Sequence, residues 1–397
     1  MIPEQLEPLD PFDDRYLADP DTTYAELHRL GPVHRIRTPE GTPAWLVTRY
    51  DDVRQLLGDP RLARNIRYAS DVYRAMPLPS EFSFESVATV DGADHRRLRK
   101  FLNQAVSVSR FRAMRPRIEE ITGGLIDAMG DTGRTDLIAA LAAPLPITVI
   151  ADMLGVPPAD RARFRSWTDG LLGLDAELAG HAGAAMYAYL GGLIGRKRAE
   201  PTGDVLSEWV HGRDDEGRPL DDNDLLGLAF MALLGGYDTT VGSIASSVLI
   251  LLGDPELMAR LRREPERLPA AVEEFLRFHG PVHTAVRRFT TGDVPVGDRV
   301  IPAGETVLLS MGAAHRDPGH YPDPDRVDLG RGKVPHLAFG NGPHYCPGAE
   351  FGRTEVRVAL EQVLLRLPRL RLAVPPEQIA WRRAYQIRVP LAVPVEY

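Results

Sequence analysis

The chain of 397 residues has one cysteine, Cys346, so no disulfide can close within it, and its cysteine usage gives no sign of an oxidising compartment. It also lacks positive charge overall: the formal net charge of −8 excludes a general nucleic-acid binder, which needs a basic surface. The stretch Met1 to Asp21 has no basic region followed by an apolar run, so neither a signal peptide nor a membrane anchor is expected there. There is no internal repeat and no low-complexity linker. The 36 glycines and 34 prolines are scattered rather than gathered at a boundary, which favours one domain over residues 1–397. With 44% hydrophobic and 26% charged residues the chain is neither disordered nor collagen-like, and it is long enough to bury a core that encloses a cofactor. A cytoplasmic protein without a membrane or nucleic-acid partner is expected.

What is present is mostly helical. Apolar periodicity predicts helices over His95–Gln104, Arg115–Met129, Pro144–Leu154, Ala185–Arg198, Asp224–Leu252, Glu256–Arg262 and Pro269–Phe278. Strand-like runs lie at Ala44–Thr48, Val294–Val300, Thr306–Ser310 and Gln386–Val395, the second broken at Gly297-Asp298 in the manner of a hairpin. The fold class is therefore mainly α with a small β-rich side. Asp224–Leu252 is apolar enough to suggest a membrane span, but Asp238 at its centre is costly in lipid. A long helix through a protein core is the better reading.

Several motifs fail on inspection. His315-Arg316-Asp317 is followed by Pro318, and no glycine-rich phosphate loop precedes it. Gly340-Asn341-Gly342 is half a dinucleotide fingerprint, with Tyr345 where the third glycine belongs. His279 and His283 are four apart, but Gly280-Pro281 between them breaks the helix that a metal pair would need.

The run Phe339-Gly340-Asn341-Gly342-Pro343-His344-Tyr345-Cys346-Pro347-Gly348 is different. Glycines and a proline upstream force a turn, and an apolar helix from about Ala349 to Leu367 follows. The sulfur then sits near a helix N-terminus, where backbone N–H groups favour an anion and are expected to lower the thiol pKa. Gly342 and Gly348 remove side chains where a flat macrocycle would approach the backbone. With Arg353 included, these residue types at these offsets coincide by chance roughly once in ten million or less at average usage, which outweighs the reading as an inert buried cysteine.

This stretch resembles the haem-binding loop of the cytochrome P450 family, and the resemblance runs from about residue 20 to the C-terminus. It implies that fold, with a long central helix across the haem, and Cys346 as the thiolate ligand of the iron of haem b. Phe339, Gly340, Gly348 and Gly235 are then expected to border the cofactor. Glu274 and Arg277 match the family's Glu-x-x-Arg, with Arg326 as the second arginine, all three structural. His95, Arg99, Arg288 and His344 match the partners of the haem carboxylates.

Gly235-Gly236-Tyr237-Asp238-Thr239-Thr240 resembles the family's oxygen-activation segment. Two adjacent glycines in a helix cost about 1 kcal/mol each, and the hydroxyl of Thr239 can bond back to the carbonyl of Gly235 and open a groove. Asp238 and Thr239 are the expected proton-handling pair. By family position Phe84, Val87, Met231, Leu234, His283, Thr284 and Val286 line the substrate side. Eight basic residues and no acid between Arg96 and Arg117 suggest a field that attracts a ferredoxin-type donor. The resemblance implies a monomeric monooxygenase that inserts one oxygen atom from O2 into a small organic substrate such as a secondary metabolite. Oxidative coupling, desaturation or peroxygenation, and a non-catalytic haem sensor, are the alternatives.

Overall fold

The computed structural model describes residues 9–74, 86–171, 176–332 and 335–397; the expected pocket residue Phe84 lies outside them. Helices dominate, and strands gather to one side. A five-stranded sheet runs in the order β1 (Val33–Arg37), β2 (Pro43–Val47), β8 (Thr306–Leu309), β5 (Arg288–Thr290) and β3 (Leu62–Ala63). Only the β2–β8 pairing is parallel, with Trp45 opposite Val307. β4 (Arg134–Asp136), β10 (Pro394–Glu396) and β9 (Arg371–Leu372) make a second sheet. The hairpin of β6 (Val294–Val296) and β7 (Arg299–Ile301) turns where the sequence breaks, with Gly297 at φ +59°.

The central helix is Asp222–Gly253. Its start is fixed by a reciprocal cap: the Asp221 carboxylate accepts from the Asp224 N–H at 2.8 Å, and Asp224 accepts from the Asp221 N–H at 3.5 Å. It ends at Asp254, where Pro255 opens the next helix. It is the one helix among the described residues long and apolar enough to cross a membrane, and most of it is buried against other helices. It packs on Pro144–Leu154, on Leu268–His279 (hereafter the anchor helix), on Ala349–Arg366 (the proximal helix) and on Gly92–Ala105 (the clamp helix).

The expected helices are present, Pro144–Leu154 with the bounds read from the sequence and the others with longer ends. That at Arg115–Met129 begins at Val108, because the Ser107 hydroxyl caps it and Pro116 is accommodated inside. The expected strand Gln386–Val395 is mostly irregular. Pro390 and Pro394 donate nothing to a ladder, and only Pro394–Glu396 joins a sheet.

The anchor helix holds the buried pair Glu274–Arg277, with two parallel bonds of 2.8 and 2.7 Å. The same guanidinium donates to the carbonyls of His315, Pro324 and Arg326. The second arginine is not Arg326, whose side chain is exposed and which contributes only that carbonyl. Arg331 takes the place, 3.2 Å from Glu274 Oε1. Five residues further on, the chain has turned back toward the carboxylate.

Candidate active site

Cys346 lies two residues before Gly348, the residue that starts the proximal helix. Its N–H donates to the Phe339 carbonyl at 2.8 Å, which closes the turn on itself. Gly340 and Gly342 have φ near +74° and +76°, the left-handed region that glycine enters without strain. Gly342 serves a close approach different from the one expected. A Cβ there would lie 2.8 Å from the Cα of Gly58, so its missing side chain admits a neighbouring helix end, not a macrocycle. The thiol also departs from expectation. Burial pushes its pKa up, while the Gly348 N–H and the charges of Arg99 and Arg353 pull it down. The sulfur of this half-buried residue stands ahead of the helix, and its desolvation outweighs the helix end in the free protein.

Beside this loop lies a group of basic side chains from four elements. The rings of His95 and His344 sit 3.9 Å apart, and His344 is 3.8 Å from Asp91. Arg99 donates to the carbonyl of Tyr345, in the cysteine turn itself. Arg288 donates to the Val286 carbonyl and has a buried Nη2 with no partner. Arg64, which sequence reasoning missed, donates to the Ala88 carbonyl and has a buried, unpartnered Nε.

Burial and mutual repulsion lower the pKa of Arg64 strongly, and burial brings Arg288 down to about 10. His95 falls to about 4 and His344 to about 3, again chiefly by burial. Among the described residues none of Arg64, Arg99 or Arg288 forms an ion pair, and Asp91 spends one oxygen on the N–H groups of Arg64 and Asn65. Buried guanidiniums without carboxylates are costly. Such a set suits a ligand that brings its own carboxylates.

Across the central helix the interior is open. Gly235 is exposed although it lies midway along an otherwise buried helix. Thr239 Oγ1 donates to the Gly235 carbonyl at 2.6 Å, and Ser243 Oγ donates to the Thr239 carbonyl at 2.7 Å. Both are hydroxyl bonds back to a carbonyl four residues earlier in the same helix. Asp238 is buried and ion-paired with Arg382, a partner from the C-terminal segment that the sequence did not reveal.

The Cytochrome P450 family model matches residues 197–379. The chain is 43% identical to the "Cytochrome P450 monooxygenase PikC" of Streptomyces venezuelae, over 96% of this chain and 92% of that protein. It belongs to the cytochrome P450 family. It is also 42% identical to the "Mycinamicin IV hydroxylase/epoxidase" of Micromonospora griseorubida, over 97% of each chain. The solved structure of the tirandamycin C-bound P450 monooxygenase TamI superposes with a TM-score of 0.89 at 39% identity, covering 98% of this chain and 99% of that one.

Membership in the P450 family implies haem, and the unpartnered donors of His95, Arg64 and Arg288 fit its carboxylates. Of the expected pocket residues, Val87 is buried, while Met231, Leu234 and Val286 are partly exposed. Met231 Cε comes within 3.7 Å of where a Cβ on Gly235 would stand, so it borders the opening. His283 does not belong to this group: its Nδ1 lies 2.9 Å from Tyr24 Oη and 3.2 Å from Tyr16 Oη, packed against the N-terminal helices. Thr284 is likewise buried, its hydroxyl on the Tyr385 carbonyl at 3.4 Å.

The basic run between Arg96 and Arg117 is less positive than it reads. Arg97, Lys100, Arg110, Arg115 and Arg117 pair with Asp224, Asp215, Glu208, Glu119 and Asp152, acids brought mostly from distant segments. Arg96, Arg99 and Arg112 are left without a carboxylate among the described residues. An open groove of about 590 Å³ beside Arg96, Arg99, Lys100 and Pro343 flanks the cysteine turn.

Proposed function

We propose that this P450 hydroxylates or epoxidises a secondary metabolite, with haem b as its cofactor and electrons from a separate ferredoxin-type protein. The observation that carries the oxygen-handling part lies on the continuous central helix, where Gly235 is exposed and the Thr239 hydroxyl donates to its carbonyl. The bound haem supplies an iron that binds and reductively activates dioxygen, pushed by its thiolate ligand. The chain's own residues do the rest. Cys346 is the ligand, steadied by the Gly348 N–H. Arg64, His95, Arg99, Arg288 and His344 hold the two carboxylates.

Thr239 holds a water or hydroxyl proton at the mouth of the opening, and Asp238 passes protons to it from the Arg382 side. The relay requires the Asp238 carboxylate to leave its guanidinium partner during turnover. Val87, Met231, Leu234 and Val286 exclude water and position an apolar substrate. The names of the relatives, a mycinamicin hydroxylase/epoxidase among them, support a bulky natural product as the substrate class. The groove beside Arg99 and the exposed Arg96 and Arg112 are the proposed docking face for an acidic donor. A monomer in the cytoplasm, one domain throughout, completes the proposal.

The test is Thr239→Ala, assayed for oxygen consumed, product formed and peroxide released. Product per oxygen should fall and peroxide rise. Unchanged coupling removes Thr239 from the mechanism.

A further inference from the structure

The anchor helix carries two adjacent glutamates that point to different tasks. Glu274 holds Arg277 and Arg331 in the scaffold. Glu273 reaches across to the proximal helix, where Arg353 meets it with two bonds: Nε to Oε1 at 2.8 Å and Nη2 to Oε2 at 3.1 Å. A planar fork on a carboxylate fixes orientation as well as distance. His336 Nε2 steadies the same carboxylate at 3.0 Å. Held so, the Arg353 guanidinium lies over the face of Phe339, 4.4 Å from the ring centre. Phe339 is the residue whose carbonyl takes the Cys346 N–H at 2.8 Å, and its ring also borders Gly352. Arg353 donates in addition to Glu350 at 2.9 Å, the residue after the Cys346-Pro347-Gly348-Ala349 run.

We infer that Glu273 and Arg353 are a positioning pair that sets the electrostatic potential at the Cys346 sulfur, and with it the reduction potential of the haem that the sulfur ligates. The chain of contacts is continuous: Glu273 orients Arg353, Arg353 caps Phe339, and Phe339 closes the cysteine turn. The arginine's positive charge favours electron density on the sulfur side, and the two carboxylates on it, Glu273 and Glu350, subtract from that charge. Neither Glu273 nor Arg353 touches the reacting atoms, so both act through the ligand loop. The inference rests on the haem-thiolate reading of Cys346.

The haem-loaded, substrate-free protein provides the test, by spectroelectrochemical titration of Glu273→Gln, Glu350→Gln, Arg353→Gln and Arg353→Lys. Removing a carboxylate should shift the potential in the positive direction, more for Glu273→Gln than for the more exposed Glu350. Arg353→Gln should shift it in the negative direction, and Arg353→Lys, which keeps the charge, should return most of the way to wild type. Opposite signs are what a purely structural role would not produce. If Arg353→Gln fails to load haem, the two glutamate variants still decide. Shifts of one sign for all variants, or no shift in Glu273→Gln, would overturn the inference. The carbon monoxide spectrum of the wild type reports separately on the thiolate itself, so loss of that reading is distinguishable from loss of this one.

Discussion

Arg331 and Arg326 differ by five positions, yet only one of them faces Glu274. Arg331→Ala leaves a buried carboxylate short of a partner and should cost about 3 kcal/mol, while Arg326→Ala on the exposed side should stay within about 0.5 kcal/mol. Chemical denaturation of both variants checks this; equal effects would contradict the assignment. The sequence could show that a loop arginine follows the Glu-x-x-Arg helix. It could not show which one turns inward, because loop direction depends on the carbonyls of His315, Pro324 and Arg326 that gather on Arg277. The same limit hid Arg64 and Arg382, which reach their positions from segments far away in the chain. Cys346, Thr239 and Gly235 were legible because their chemistry is local: a turn, a helix start, and a hydroxyl four residues from a carbonyl.

At the scale of elements, the central helix is decided by where its glycines face. A Cβ on Gly242 would lie 2.7 Å from Pro281 Cβ and 3.2 Å from Val389 Cγ2. Gly242→Ala should therefore cost roughly 1–3 kcal/mol by overpacking. Gly235 faces open space, with Met231 Cε as the nearest atom at 3.7 Å. Gly235→Ala should leave stability unchanged or raise it by up to about 1 kcal/mol through helix propensity, while perturbing the absorption of the loaded protein. Thermal midpoints of the two variants separate these outcomes, and a destabilised Gly235→Ala would mean that the opening is not there. The central helix was readable within two residues at its start and one at its end, whereas the helices read from Arg115 and Ala185 begin at Val108 and Ala176. Strands of two or three residues, such as Leu62–Ala63, carry too few alternations to be seen, and the proline-bearing Gln386–Val395 looked more strand-like than it is.

For the whole molecule, charge is arranged differently from its order in the sequence. The basic run near the cysteine turn is largely neutralised by acids from distant helices, which no reading of residues 96–117 alone could show. Arg112 is exposed and meets no carboxylate among the described residues, so Arg112→Glu should slow reduction by an acidic ferredoxin about tenfold at low salt and less at high salt, without loss of stability. Stopped-flow reduction at two ionic strengths tests it; an unchanged rate would move the docking face elsewhere.

Folding also sets a pH response. Burial lowers His34 to about 4 and His279 to about 3, and holds His283 and His315 well below their ordinary value. The unfolded chain takes up these protons near pH 6.5 and the folded protein does not, so stability falls as pH drops from about 6.5 toward 4. Glu355, raised to about 8 by burial, works in the opposite direction but is one group against several histidines. The urea midpoint should be higher at pH 7 than at pH 5; a flat or inverted profile would contradict this.

The central claim is that Cys346 is the thiolate beneath the haem, and the spectrum of the reduced protein with carbon monoxide tests it most directly. The account predicts the strongly red-shifted Soret band of thiolate ligation in the wild type and its loss in Cys346→Ser. A wild-type protein without that band, or a Cys346→Ser variant that keeps it, would contradict the account.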